Sequence, residues 1–358
     1  MIRSDEAKSL ETELNSNDAA IRRRAVDKFA ELCRNGEIEC TPENFDHNMH
    51  CHTCYSYNGY GYSPSYIACL AKRNGWFAAG IVDFDVLDAL DEFLSAAAKL
   101  NVRASGGVES RAFIQELAHE EINSPGEPGI AYHLGLGFSV SDVPPSQQLF
   151  LLEMRRQAHR RTRGIAALVN DFLAPAGLDF TADAVRLTPN ANVTERHLCQ
   201  AYREKAEKLF PTSEARSAFW AAKLGVSPEK AAMLIDTPVE LEAAIRSKTM
   251  KKGGAGYVAP DPKSFPPIDR MNTFIAASGA IPTIAWLNGF SSGESDPGRL
   301  LDLHIAKGAA MLNIVPDRNW NVSDPEKQKK LVHELDRIIA ACKERNLPVV
   351  AGTEMNAP

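Results

Sequence analysis

The chain has 358 residues, 44 % of them hydrophobic and 24 % charged, enough for one large α/β barrel with an insertion or for two ordinary domains. A formal charge of −6 argues against a nucleic-acid or anionic-membrane surface, and no stretch reads as a signal peptide or a bilayer span. Seven cysteines, an odd number spread along the chain, fit reduced thiols in a cytoplasm better than a disulfide framework.

The first 43 residues read as a helical extension. Ile21, Ala25, Phe29 and Leu32 recur at three- and four-residue steps between Asn17 and Leu32, with the Arg22–Arg24 run as the solvated face. From Asn44 the pattern changes to short apolar runs, predicted as strands at Phe45–Met49, Phe77–Val82, Val102–Val108, Ile130–Gly137, Ile281–Ala285, Ala310–Val315 and Val349–Ala351. Helix-sized segments such as Pro64–Arg73, Leu87–Lys99, Pro297–Lys307 and Pro325–Arg345 separate most of them. Such alternation implies parallel strands with helical crossovers, hence a barrel related to the (β/α)8 design. Residues 145–255 interrupt it with five predicted helices, Leu149–Leu173, Glu195–Leu209, Ser213–Leu224, Pro228–Leu234 and Pro238–Ser247, read as an inserted cap between the fourth and fifth strands. The Gly- and Pro-rich stretch KKGGAGYVAPDPKSFPP closes the insertion. The organisation expected is therefore 1–43 extension, 44–144 first barrel part, 145–255 insertion and 256–358 second barrel part.

Polar residues gather where the predicted strands end. His50 and His52 follow the first, Asp83 and Asp85 the second, Glu109 the third, Glu354 the seventh, and His133 lies in the fourth. In a parallel barrel these ends share one face, where active sites are built. Imidazole mixed with carboxylate suits zinc, manganese or iron better than calcium or magnesium. Residues two apart on an extended strand point the same way, so His50 and His52 can grip one ion together.

The stretch HCHTCYSYNGYGYSPSYIACLAKRNGWFAAGIVDFD resembles the opening of a PHP (polymerase and histidinol phosphatase) domain. GGVES, AYHLGLGF, VTERHL, YVAPD…ASGAIPTIAWLNG and LPVVAGTEMN are similar to its later motifs, in the same order. The resemblance implies a distorted (β/α)7 TIM-like barrel and a metal-dependent phosphoesterase with up to three ions. It also implies a reduced ligand set, because Phe84, Trp286 and Asn356 stand where the family carries histidines, and Asn58 where an acid or histidine is frequent. What survives is His50, His52, Glu109 and Glu354 for a first ion, with Glu109 and His133 for a second, weaker one. The divalent metal would activate water for attack on a small phosphorylated molecule. Another amide or ester hydrolysis, or a binding protein on a decayed barrel, remains the alternative.

Asp83 and His133 are the expected catalytic side chains, Asp83 either orienting a histidine ligand or acting as general base. Arg196 and His197, in the first turn of a predicted helix capped by Asn192 or Thr194, are the expected substrate-anion site, or else an ordinary surface pair. Cys51 and Cys54 read as adventitious thiols, and the tyrosines from Tyr55 to Tyr62 as packing over the barrel rim.

Overall fold

A computed structural model describes residues 3–258 and 264–356; the middle of the Gly- and Pro-rich stretch, 259–263, lies outside them. The described chain forms two compact units, residues 3–154 with 264–356, and residues 155–258.

The first unit is a seven-stranded sheet in sequential order. Its strands are β1 (His47–Cys51), β2 (Ala78–Phe84), β3 (Arg103–Phe113), β4 (Ile130–Phe138), β5 (Ile281–Trp286), β6 (Met311–Ile314) and β7 (Val349–Ala351). A parallel bridge between Cys51 and Glu354, beyond β7, brings the first and last edges together, so the sheet is a nearly closed TIM-like barrel. All seven predicted strands form; β7 has the predicted bounds, and the largest displacement is at the end of β3, Phe113 against the expected Val108.

One direction differs from expectation. β1–β2, β2–β3, β5–β6 and β6–β7 are parallel, but β4 runs antiparallel to both β3 and β5. Parallel neighbours need a crossover of a dozen or more residues, usually a helix. Between β3 and β4 lies only an irregular link with one short 3₁₀ turn, Gln115–Leu117, which returns the chain like a long hairpin.

The interior is filled by Val82, Leu134, Leu136 and Ala285, with Tyr132, Met311 and Val350 against them. It stays narrow because strands touch through glycine. A β-carbon on Gly107 would lie 2.4 Å from the carbonyl of Gly135 and 2.8 Å from Val82. Outside, Ile284, Trp286, Leu312 and Ile314 pack against α11 (Pro297–Ala306) and α13 (Pro325–Glu344). Val108 and Phe138 pack against α10 (Ile268–Ala277). Trp286 therefore sits in the outer layer, away from the interior.

The extension is two helices, α1 (Ser4–Leu14), which the periodicity did not suggest, and α2 (Ala19–Arg34). They share a core with α3 (Pro64–Arg73) and α4 (Leu90–Leu100), through Leu10, Leu14, Val26, Phe29, Ile67 and Phe93. Arg22 is not solvated: it is fully buried, donating to both oxygens of Glu92 (2.8 and 2.5 Å) and to the carbonyl of Ser16 (2.7 Å). A buried guanidinium is tolerated when its donors are filled in this way.

The second unit is helical. After the end of α5 (Pro145–Phe172) come α6 (Glu195–Leu209), α7 (Ser213–Leu224), α8 (Pro228–Ile235) and α9 (Pro238–Thr249), around Leu173, Leu198, Tyr202, Trp220 and Ile245. Their starts follow local chemistry. Thr212 and Ser227 accept from backbone N–H groups at the first turns of α7 and α8, and Pro228 and Pro238 open α8 and α9. Among the described residues no helix is long and apolar enough to cross a membrane.

Candidate metal centre

β1 alternates: Cys51 points into the outer core, while His50 and His52 point inward. Glu109 comes inward from β3. The Nε2 atoms of His50 and His52 lie 3.4 and 3.1 Å from one oxygen of Glu109, and all three side chains are buried. The candidate ligand atoms lie within 4.8 Å of one another. Among the described residues neither Nε2 has an aligned hydrogen-bond partner. Two buried imidazole nitrogens without such a bond, aimed at one carboxylate oxygen, are the arrangement a shared cation would satisfy.

The opposite side of each ring supports this reading. His50 Nδ1 lies 3.2 Å from Asn313 Oδ1, and the Asn313 amide is oriented by its own donation to the Ile314 carbonyl (3.1 Å). His52 Nδ1 lies 3.1 Å from Ser56 Oγ, and Ser56 donates to Asp83 Oδ1 at 2.5 Å. Both Nδ1 atoms thus face acceptors, so in the neutral ring each carries the proton and each Nε2 has a lone pair to offer a cation. Burial opposes ionisation of Glu109, but His50 and His52 outweigh it and hold the carboxyl down to about 2. Burial also opposes protonation of His50, yet Glu109 raises its pKa.

Asp83 lies on the other side of its strand from Phe84. Its oxygens accept from the Thr53 amide (2.8 Å), the Thr53 hydroxyl (2.7 Å) and Ser56, so it reaches His52 only through Ser56. Burial pushes its pKa up, against the pull of His52 and these hydrogen bonds. Phe84 stacks on the ring of His52, centroids 4.3 Å apart, and offers no lone pair on that side. Asn58 donates to the His52 carbonyl (2.8 Å) and accepts from the Tyr60 and Tyr62 amides, organising the loop after β1.

His133 does not join this cluster. Glu109 pairs with Leu134, so the neighbouring His133, opposite Ser110, faces outward. There its Nε2 lies 2.6 Å from Asn272 Oδ1 and its ring stacks on His304 at 5.9 Å. Burial, then the charge of His304, lower its pKa to about 3.

Glu354 reaches the rim but not the ligand group. Its carboxylate takes Nη2 of Arg318 at 2.8 and 3.1 Å and Nδ2 of Asn356 at 3.1 Å. Its backbone nonetheless ties the two histidines together, donating to the His50 carbonyl and accepting from the His52 amide, both at 2.8 Å. Glu354 and Met355 have φ of 64° and 56°, and Asp85, after β2, has 60°. Three of the positive-φ non-glycine residues thus lie beside the centre, while Asn101, Ala191 and Asn346 lie elsewhere.

Arg196 and His197 lie on α6 in the second unit. His197 is buried and accepts from the Thr194 amide at 3.1 Å, a helix-capping role, and burial lowers its pKa to about 3. Three residues of the centre escaped the sequence reading: Ser56, Asn313 and Arg318. Asn313 left a signal, as a polar residue inside the apolar run of β6.

No protein-family model matches the chain, and no curated protein matches it. Among the solved structures that share its fold are two of similar length. One is an amidohydrolase from Chromobacterium violaceum with bound sulfate and no metal, 16 % identical with a TM-score of 0.57, covering 87 % of this chain and 88 % of that one. The other, from Bifidobacterium adolescentis, is assigned as a metal-dependent phosphoesterase, 18 % identical with a TM-score of 0.54, covering 89 % and 91 %. At these identities the likeness is one of fold, and this chain's fold is the seven-stranded TIM-like barrel.

Proposed function

We propose that the protein is a metal-dependent hydrolase, a phosphoesterase acting on a small phosphorylated molecule. The observation that carries the reading is the pair of imidazole nitrogens without aligned hydrogen bonds, His50 Nε2 and His52 Nε2, each backed by an acceptor and both directed at Glu109. His50, His52 and Glu109 would hold one divalent cation of the zinc, manganese or iron kind. When bound, that ion supplies Lewis acidity toward the substrate oxygen and lowers the pKa of water at the site to about 7. The chain's own residues do the rest. Asn313 holds His50, and Asp83 holds His52 through Ser56, fixing the tautomers that present the lone pairs. The aromatic face of Phe84 against His52 keeps water and a further ion from that side.

The phosphoesterase reading draws support from the Bifidobacterium neighbour and from the tetrahedral anion in the Chromobacterium one. An amide hydrolysis is the second reading, favoured by that protein's description as an amidohydrolase. Elemental analysis of the purified protein beside His52→Ala, followed by a panel of phosphoesters and amides with manganese or zinc, separates them. We expect close to one equivalent of metal, absent in the variant, and metal-dependent phosphate release. A wild-type protein without metal, or metal-dependent turnover of amides alone, would overturn the proposal.

A further inference from the structure

We propose that Arg318 is the side chain that grips the substrate's phosphoryl oxygens, with Glu354 serving as its holder. The inference rests on the phosphoesterase reading and adds a residue to it. Arg318 lies in α12 (Asp317–Trp320), which follows β6 at the same end of the barrel as the metal centre. Only Nη2 of its guanidinium is engaged, by both oxygens of Glu354. Among the described residues Nη1 and Nε meet no acceptor, and the side chain is 44 % exposed. One edge is anchored while the other stands open.

The anchor is itself fixed to the ion site. The main chain of Glu354 bonds to the His50 carbonyl on one side and to the His52 amide on the other, so the place of the guanidinium is set by a residue tied to the backbone of both histidines. Burial disfavours the charge of Arg318, but Glu354, Tyr132 and Glu109 all act on it and outweigh that cost. The arginine therefore shares the electrostatic field of the centre. A phosphate monoester brings nearly two negative charges, and Phe84 occupies the flank of His52 where a second cation could approach. The further positive partner is then a side chain. A guanidinium suits the part, being permanently charged and shaped to donate two parallel bonds to a tetrahedral oxyanion.

The test is calorimetric titration with inorganic phosphate, of protein loaded with manganese and of chelator-stripped protein, for wild type, Arg318→Met and Arg318→Lys. Arg318→Met should weaken phosphate binding about 10–100-fold in both forms, and Arg318→Lys should recover part of the loss. Manganese content, by elemental analysis, should stay at the wild-type level in both variants. Arg318→Gln serves if the methionine variant does not fold. Phosphate binding unchanged in the neutral variants overturns the inference. So does a folded variant that has lost its manganese, which would make the arginine part of the ion site's framework. If wild type binds no manganese, the phosphoesterase reading falls, and the stripped-protein titration still decides the role of Arg318.

Discussion

Two buried histidine pairs lie on opposite faces of the same barrel wall, and they differ in what surrounds them. His50 and His52 face inward and converge on Glu109, with Asn313 and Ser56 accepting from the far side of each ring. His133 faces outward and stacks on His304 of α11, and among the described residues no acid bonds to either ring. Both pairs leave ring nitrogens without a hydrogen bond. Burial and an open lone pair are therefore common to a ligand site and to a structural pair. A carboxylate at the meeting point, with an oriented acceptor behind each ring, separates them.

The sharpest way to break this contrast is Glu109→Gln, which removes the charge on which the inner pair converges. Metal-dependent turnover should fall at least ~1000-fold with loss of the bound ion, read by steady-state kinetics and elemental analysis. On the outer face, His133→Ala should destabilise the fold by about 3 kcal/mol in a urea melt, by opening a cavity and stranding Asn272. Its metal content should not change, and a variant that lost the ion would merge the two pairs into one functional unit. Ser56→Ala should weaken metal affinity about 10–100-fold, because His52 loses the acceptor that orients it. A competition titration with a chromogenic chelator reads this directly.

The smallest effect is one of pH. His133 and His304 stay neutral in the folded protein down to about 3 and about 4, driven first by burial, whereas the unfolded chain protonates near 6.5. Between those values the unfolded state binds more protons, so stability is full above about 6.5 and drains away as the pH falls toward 4. The slope approaches about 1.4 kcal/mol per pH unit for each histidine. Thermal melts from pH 7 to pH 4.5 should show the decline, and it should be shallower in His133→Gln.

Much of this architecture was written in local pattern. Glu195–Leu209 and Ser213–Leu224 came out residue for residue, and the structure caps them with Thr194, one of the two residues expected, and with Thr212. The triad was legible as well, since His-X-His places two rings on one side of any strand and Glu109 is an acid just past the predicted end of another, although β3 in fact runs on to Phe113. The direction of β4 was not. Hydrophobic pattern carries no sign of polarity, and only the missing helix between Phe113 and Ile130 could have revealed it. The face of His133 was hidden for a related reason. Barrel strands are buried on both sides, so alternation tells which residues share a face but not which face is inner. Arg22 misled in its own way, since its charge suggested water and only the fold brings Glu92 to meet it.

The seam between the first and last edges of the wall has a consequence beyond closure. There the main chain joins at Glu354, and the atoms it joins to belong to His50 and His52. A β-carbon on Gly352 would fall 2.3 Å from that of His50, so even a methyl group at this point must prise the edges apart. On the proposed reading, grip on a cation and integrity of the cylinder are thus one property. Mutations that loosen the weld should lower affinity without altering any donor atom, and the amide protons of His52 and Glu354 should exchange together.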